Sequence, residues 1–103
     1  DTTNYLLPEG VVEQKDIRVE GAWWVCCSPV VGGTRYWLMH MTPPGHPTGV
    51  PVYSIRRYAR FGAFFEPDLK EGEPLTLNFR ILLSDRELDQ ARCQLLYDAY
   101  AAR

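Results

Sequence analysis

The alternation of apolar and polar residues predicts that most of this chain forms β-strands. The clearest case is LTLNFRILL at residues 75–83, where every odd-numbered position is apolar and would face one side of a sheet. Strand-like runs also occupy residues 22–28 and 34–41, and the Gly-Gly pair between them is typical of a tight hairpin turn. Residues 52–65 predict a further strand.

The pattern changes to a helical period after the last of these strands. Ser84 and Glu87 form a capping-box pattern, in which each side chain can satisfy an end amide of a helix. The apolar residues that then recur at helical spacing are Leu88, Ala91, Leu95 and Ala99. We therefore divide the chain into an irregular lead-in at residues 1–16, a β-sheet segment at 17–83 and a C-terminal helix at 84–103.

Two of the predicted strands are apolar on both faces. Trp23 and Trp24 are adjacent and point to opposite sides of their strand, and residues 36–41 leave neither side plainly polar. Such strands need cover on both sides, which one helix can hardly supply. We predict a mainly β fold, an antiparallel β-sandwich segment with one C-terminal amphipathic helix. We expect it to be part of a larger sandwich, covered by the remainder of a longer polypeptide or by a partner chain.

Composition and charge argue for a folded domain and against nucleic acid or a membrane as its partner. Of the 103 residues, 46% are hydrophobic and 13% aromatic, which suffices for a modest core. The net charge of −2 argues against nucleic acid as a partner, because phosphate binding relies on Lys and Arg. Residues 21–34 are uncharged but too short, and too rich in Gly, Pro and Ser, to cross a membrane. Since the chain opens on Asp1 and not on Met, we expect a processed, trimmed or fragmentary product.

The three cysteines do not form a disulfide framework by number or spacing. We interpret Cys26, Cys27 and Cys93 as small buried hydrophobic residues, with their redox state left open. No Cys and His pair has the spacing of a zinc site. We therefore predict no metal and no cofactor. The compartment is left open, with a periplasmic or secreted location slightly favoured over a cytoplasmic one.

The two histidines flank a Pro-Pro-Gly turn. His40 ends a predicted strand and His46 lies in the following loop, and both are positions where a rigid scaffold displays functional groups. An imidazole there could act as a general acid, a general base or a hydroxyl-binding group near neutral pH. The alternative for each histidine is an ordinary packing role.

The strand that follows combines basic and aromatic residues. Arg56 and Arg57 point to opposite faces, and an arginine on a covered sheet needs a carboxylate, a carbonyl or an anionic ligand. Aromatic rings stack on the apolar faces of sugars, which makes Tyr53 and Trp37 candidate stacking surfaces, although core packing explains them equally well.

Six pieces of the chain follow one another in the order of a known family. They read WVCCSPVVGG, LMHM, GHPT, YSIRRYARFGAFF, EPLTLNFRILL and LLYDAYAA. In order and spacing, residues 21–101 resemble the C-terminal part of a largely uncharacterised bacterial family that carries a methane-oxygenase (PmoA-type) name. The resemblance implies a longer protein of β-sandwich character from carbohydrate-utilising bacteria, of which this chain would be the last third.

The resemblance also ranks the candidate residues. His46 and Arg56 match the family pattern directly, whereas Met39 replaces the Asp that would orient His40. We therefore predict a carbohydrate-active segment that binds or processes a sugar at residues 40–58. His46 is the first candidate for proton transfer or hydroxyl binding, and Arg56 is preferred over Arg57 as the anchor. Whether the segment is an enzyme stays open, and the alternative is a non-catalytic lectin-like or assembly subunit.

Overall fold

A computed structural model describes residues 4–13, 16–46, 49–56, 60–64 and 70–102 of this chain. The described residues form ten strands and one helix. They are β1 (Asn4–Leu7), β2 (Gly10–Glu13), β3 (Ile17–Glu20), β4 (Trp24–Cys27), β5 (Val30–Val31), β6 (Thr34–Arg35), β7 (Trp37–Met41), β8 (Val52–Arg56), β9 (Arg60–Phe64), β10 (Arg80–Ser84) and α1 (Gln90–Ala101).

The strands form two antiparallel sheets and a short hairpin. The larger sheet has the order β10-β7-β4-β1-β2, and the smaller has the order β3-β8-β9. The hairpin β5-β6 turns at Gly32 and Gly33, whose φ angles of 59° and 80° lie in the left-handed region that a glycine pair adopts readily. This turn confirms the prediction made from the Gly-Gly pair.

Helix α1 covers one face of the larger sheet. It contributes Cys93 and Tyr97 to an apolar cluster with Trp24 and Met39 from the central strands. The indole Nε1 of Trp24 donates a hydrogen bond to Gln94 Oε1 of the helix over 3.0 Å, so this buried polar atom is satisfied. The helix has 12 residues, and no helix of the described part of the chain is long and apolar enough to cross a membrane.

The smaller sheet covers the opposite face. Tyr53 and Ile55 of β8 pack there against Tyr5, Val25 and Cys27 of the larger sheet. The result is a layered, mainly β fold with a single C-terminal helix, as the sequence predicts. The three cysteines are free and buried, in agreement with their interpretation as small apolar core residues.

In this layering the chain itself covers the central strand β4, whereas cover of the rest of the sheet by a longer polypeptide or a partner chain stays a prediction. All four residues of β4 are buried, because α1 packs on the side of Trp24 while the smaller sheet packs on the side of Val25. The apolar pattern predicts the helix as cover, but it does not predict that the β-rich segment folds back on itself as a second sheet.

Three boundaries also differ from the sequence prediction. Residues 1–16 are not an irregular lead-in throughout, because β1 and β2 lie there and β1 pairs with β4. Of residues 75–83, only 80–83 lie in a strand, which is β10 and extends to Ser84. The helix begins at Gln90 and not at Ser84.

The displaced helix start has a local cause. Ser84 is held in the sheet opposite Trp37, so its backbone cannot begin a helix. Its hydroxyl instead accepts a hydrogen bond from the Arg86 amide over 3.0 Å. The helix is capped by Asp89, whose Oδ1 accepts from the amide of Arg92 over 2.8 Å.

Candidate functional site

An open cleft lies between the β7–β10 end of the larger sheet and the edge strand β9 of the smaller sheet. Its described lining residues are Leu38, His40, Arg60, Phe61, Gly62, Ala63 and Ile81. The two-residue period of β7 produces this arrangement, since Leu38 and His40 face the cleft while Met39 and Met41 face the helix. We call this feature the β7–β9 cleft.

His40 is held in the cleft wall by a buried tyrosine. Its Nδ1 lies 2.9 Å from Tyr53 Oη, which in turn lies 2.7 Å from Thr42 Oγ1. Tyr53 is fully buried, so it fixes one side of the imidazole ring. The described residues supply no hydrogen bond to the other ring nitrogen, Nε2. One nitrogen of His40 is therefore anchored, and the other remains available.

Burial also sets the protonation of this pair. It lowers the pKa of His40 from its usual value, because a charged imidazolium loses solvation there. It raises the pKa of Tyr53 to about 12 for the same reason, although the hydrogen bond with Thr42 opposes the shift. Both groups are consequently neutral at pH 7, and His40 can either donate or accept a hydrogen bond through Nε2.

The hydrogen bonds continue from the cleft to the helix layer. Tyr97 Oη donates to the backbone oxygen of Thr42 over 2.9 Å. The polar chain His40, Tyr53, Thr42 and Tyr97 thus connects the two faces of the larger sheet. Because each of these four residues is hydrogen-bonded to the next, the series holds Nδ1 of His40 in a fixed position.

Aromatic rings surround the imidazole. The His40 ring centroid lies 4.9 Å from that of Phe79 and 6.4 Å from that of Phe61. Phe79 also lies 5.6 Å from the ring of His46, so the same phenyl ring neighbours both imidazoles.

The structure reverses the order in which the sequence ranks the two histidines as candidate site residues. His46 is buried in the loop after β7 and does not line the β7–β9 cleft, whereas His40 does. The backbone oxygen of His46 accepts a hydrogen bond from the amide of Gly49 over 2.9 Å. The candidate ranked second by sequence is therefore the one that a cleft ligand can reach.

The structure also places the predicted ligand-binding residues outside the cleft lining or outside the described residues. Tyr53 is fully buried and offers no face for stacking, but it orients His40. Trp37 packs on the helix side of the sheet, away from the cleft. Arg56 is exposed at the end of β8 and does not line the cleft, and Arg57 lies outside the described residues.

Two residues that the sequence pattern did not single out do line the cleft. Arg60 and Phe61 belong to β9, which pairs with β8 so that Arg60 lies opposite Arg56. The hydroxyl of buried Tyr5 contacts the backbone oxygens of Arg56 and Arg60 at 2.8 and 3.0 Å, and so holds the two strand ends together. In the sequence, Arg60 and Phe61 belong to the same run of basic and aromatic residues as Arg56. Only the pairing of β8 with β9 decides which arginine reaches the cleft.

The described lining of the cleft carries few polar side chains. None of the described lining residues is acidic, and Arg60 is the only cation among them. Across the described ranges, no group of three or more His, Cys, Asp and Glu residues could hold a metal ion. The cleft can therefore offer a guanidinium, a neutral imidazole, a phenyl ring and aliphatic side chains.

Comparison of the chain with protein-family models, with curated proteins and with solved structures finds no match. The methane-oxygenase family resemblance therefore stays a prediction.

Proposed function

We propose that this chain is a binding module for a sugar that carries a carboxylate, held in the β7–β9 cleft. The observation that carries the proposal is the presence of His40, Arg60 and Phe61 in one open cleft. Each of these residue types recognises a different part of such a ligand.

The apolar lining would contact the ring of the sugar. Phe61 presents an aromatic surface, and Leu38 and Ile81 add aliphatic area on the larger sheet. A pyranose ring has apolar C–H faces that pack against such surfaces, while its hydroxyl groups point outward to polar partners.

The polar groups would select the substituents. Neutral His40 can exchange a hydrogen bond with a hydroxyl through Nε2, and its orientation is set by Tyr53. The guanidinium of Arg60 can bind a carboxylate with two parallel hydrogen bonds. Because Arg60 is exposed, water and salt weaken this attraction, so we expect selectivity for acidic sugars with modest affinity.

The absence of acidic lining residues in the described cleft favours binding over hydrolysis. Most glycoside hydrolases use two carboxyl groups that flank the scissile bond. The described lining contains none.

The test is calorimetry with oligosaccharides of a uronic acid and with neutral oligosaccharides of the same length. We expect binding of the acidic series with dissociation constants on the order of 0.1–1 mM. Arg60→Gln should weaken binding of the acidic series about tenfold and leave neutral sugars unchanged. Arg56→Gln is the matched control, because Arg56 lies opposite Arg60 in the hairpin but does not line the cleft.

Three outcomes would count against the proposal. Binding of neither series would exclude a sugar site, and equal loss in both arginine variants would show a general charge effect. Appearance of new reducing ends during incubation would show an enzyme and not a binding module.

A further inference from the structure

Two of the three buried cysteines lie on the same side of the larger sheet. In β4, Trp24 and Cys26 face helix α1, whereas Cys27 faces the smaller sheet and packs in the cluster of Tyr5. Cys93 lies near the start of α1 and belongs to the same apolar cluster as Cys26. The residues Cys26 and Cys93 are 1% and 0% exposed, so each thiol is enclosed by protein.

The thiols of this pair are in direct contact. The side chains of Cys26 and Cys93 are hydrogen-bonded to each other. Cα atoms of α1 lie within 8 Å of Cα atoms of β4, which is close to the range of about 4.4–6.8 Å that a disulfide needs. The hydrogen bond from Trp24 Nε1 to Gln94 Oε1 joins the same strand to the residue after Cys93 over 3.0 Å. The helix is therefore held on β4 next to the two cysteines.

We propose that Cys26 and Cys93 form a disulfide that links α1 covalently to β4 when the chain meets a disulfide oxidant. The oxidant is a small disulfide such as oxidised glutathione. The two thiols together lose two electrons and two protons as the bond between their Sγ atoms forms, and the S–S bond of the oxidant is reduced to two thiols.

Cys93 is the thiol that starts the exchange. The hydrogen bond with Cys26 lowers the pKa of Cys93, although burial opposes this shift. Because the thiolate is the nucleophile, Cys93 attacks the oxidant and releases one glutathione thiolate. Cys26 then loses its proton to water, attacks the Cys93 sulfur and displaces the second glutathione. Since both thiols are buried, α1 has to open from the sheet before the oxidant can react.

Cys27 provides the matched control for this pair. It is adjacent to Cys26 and fully buried, but its side chain lies on the opposite face of β4, where it is hydrogen-bonded to Tyr5. Two cysteines whose side chains point apart cannot be bridged without movement of the backbone. We therefore expect Cys27 to stay a free thiol while Cys26 and Cys93 are oxidised.

The first experiment incubates the full chain with reduced and oxidised glutathione until its thiol content is constant. Free thiols are then alkylated in denaturant, and the chain is digested with trypsin. We expect a single alkylated cysteine in each oxidised chain and a disulfide between the peptides of residues 19–35 and 93–103. Alkylation of all three cysteines would overturn the proposal, and so would a product that keeps glutathione or links two chains.

Single variants identify the pair, because the peptide of residues 19–35 contains both Cys26 and Cys27. Cys26→Ala and Cys93→Ala should each lose the link, and Cys27→Ala should keep it. A link that survives Cys26→Ala but is lost in Cys27→Ala would contradict the proposal. Circular dichroism of the reduced variants controls for folding. The Cys27→Ala chain decides the question even if the other two variants unfold, because it contains only the proposed pair.

The link should also stabilise the fold. It closes a loop from residue 26 to residue 93, which includes strands β5 to β10, and a closed loop restricts the unfolded chain. We expect the Tm of the oxidised chain to lie about 10 °C or more above that of the reduced chain, and dithiothreitol to reverse the difference. An oxidised chain with an equal or lower Tm would contradict the proposal, because the bond would then distort the native geometry.

The outcome is independent of the sugar proposal. The cysteine pair lies on the helix side of the larger sheet, and the β7–β9 cleft lies on the other side. Oxidation is measured without any sugar, so a chain that forms the link but binds no uronate would refute only the proposed function.

Discussion

Strands β4 and β10 belong to the same sheet, but they meet different surroundings. All four residues of β4 are buried between α1 and the smaller sheet. In β10, Leu82 packs against the helix-side cluster whereas Ile81 and Leu83 on the other side are largely exposed. In the sequence, β4 is apolar on both faces, whereas β10 has Ile81 and Leu83 on its apolar face and Arg80 and Ser84 on the other. The difference shows that an apolar face in the sequence does not by itself say whether that face is covered.

The cause of the difference is the extent of the covering layer. The smaller sheet has three strands, and its cluster is built on residues of β1 and β4. Over β7 and β10 it leaves the β7–β9 cleft instead. The covered strand therefore supports the core, and the uncovered end provides the candidate ligand site.

Of the changes that test this comparison, Trp24→Ala in β4 should have the largest effect on stability. Trp24 is fully buried and bonded to Gln94, so we expect a loss of about 3–5 kcal/mol in the free energy of unfolding from the cavity alone. The matched change in β10, Ile81→Ala, should cost about 0.5 kcal/mol or less. Urea unfolding measures both, and equal losses would mean that β10 is covered as well as β4.

Tyr53→Phe should have an intermediate effect, because Tyr53 joins the covered core to the open cleft. The change removes a hydroxyl that serves both His40 and Thr42, and we expect it to cost about 1–3 kcal/mol in the free energy of unfolding. The Tyr36 hydroxyl makes no hydrogen bond in the described part of the chain, so Tyr36→Phe should cost about 0.5 kcal/mol or less. If the two variants unfold at the same urea concentration, the hydrogen bonds of Tyr53 do not support the cleft.

The smallest change in stability should come from protonation of His40 as the pH falls. The pKa of His40 is lower in the folded chain than its usual value of 6.5, so the unfolded chain takes up the proton first as the pH falls. The stabilisation that this difference contributes is present above about pH 6.5 and is lost progressively below it. Thermal unfolding between about pH 7 and about pH 5 should therefore show a falling Tm.

The variant His40→Asn separates the fall in Tm that is due to His40 from the fall that is due to protonation of carboxyl groups. His40→Asn keeps a polar atom near the position of Nδ1 but removes the titration. Its Tm should fall less over the same range than that of the parent chain. Parallel curves for the two proteins would show that His40 does not titrate differently in the folded and unfolded states.

The periodic elements of this chain were predictable because they depend on local geometry. The Gly-Gly turn requires left-handed backbone at Gly32 and Gly33, and both residues adopt it. The helical spacing of apolar residues predicts the terminal helix, but it places the wrong stripe against the sheet. Of that stripe, Ala91, Leu95 and Ala99 are exposed, whereas Cys93 and Tyr97 face the sheet. The start of the helix was placed too early because Ser84 also satisfies the pattern of a strand end, and the pairing with Trp37 decides between the two.

The candidate site was only partly predictable, because its members come together through pairing between distant strands. His40 was identifiable as a residue at a strand end. The choice between Arg56 and Arg60 depends on which strand of the β8–β9 hairpin faces the larger sheet, and no local pattern encodes that. Tyr53 was recognised as important, but its role changed from stacking surface to support for His40 because the second sheet buries it.

The sequence by itself determined the strand-rich character, the terminal helix and the two-faced apolar strands, since each depends on the spacing of neighbouring residues. The tertiary structure decided which apolar faces are covered, which histidine lines the cleft and which strand is left at the edge. These depend on contacts such as that between His40 and Tyr53, or between Tyr5 and Arg60, whose partners are 13 and 55 residues apart. The second sheet covers β4 and not the exposed face of β10, so apolar residues of the two strands have different environments.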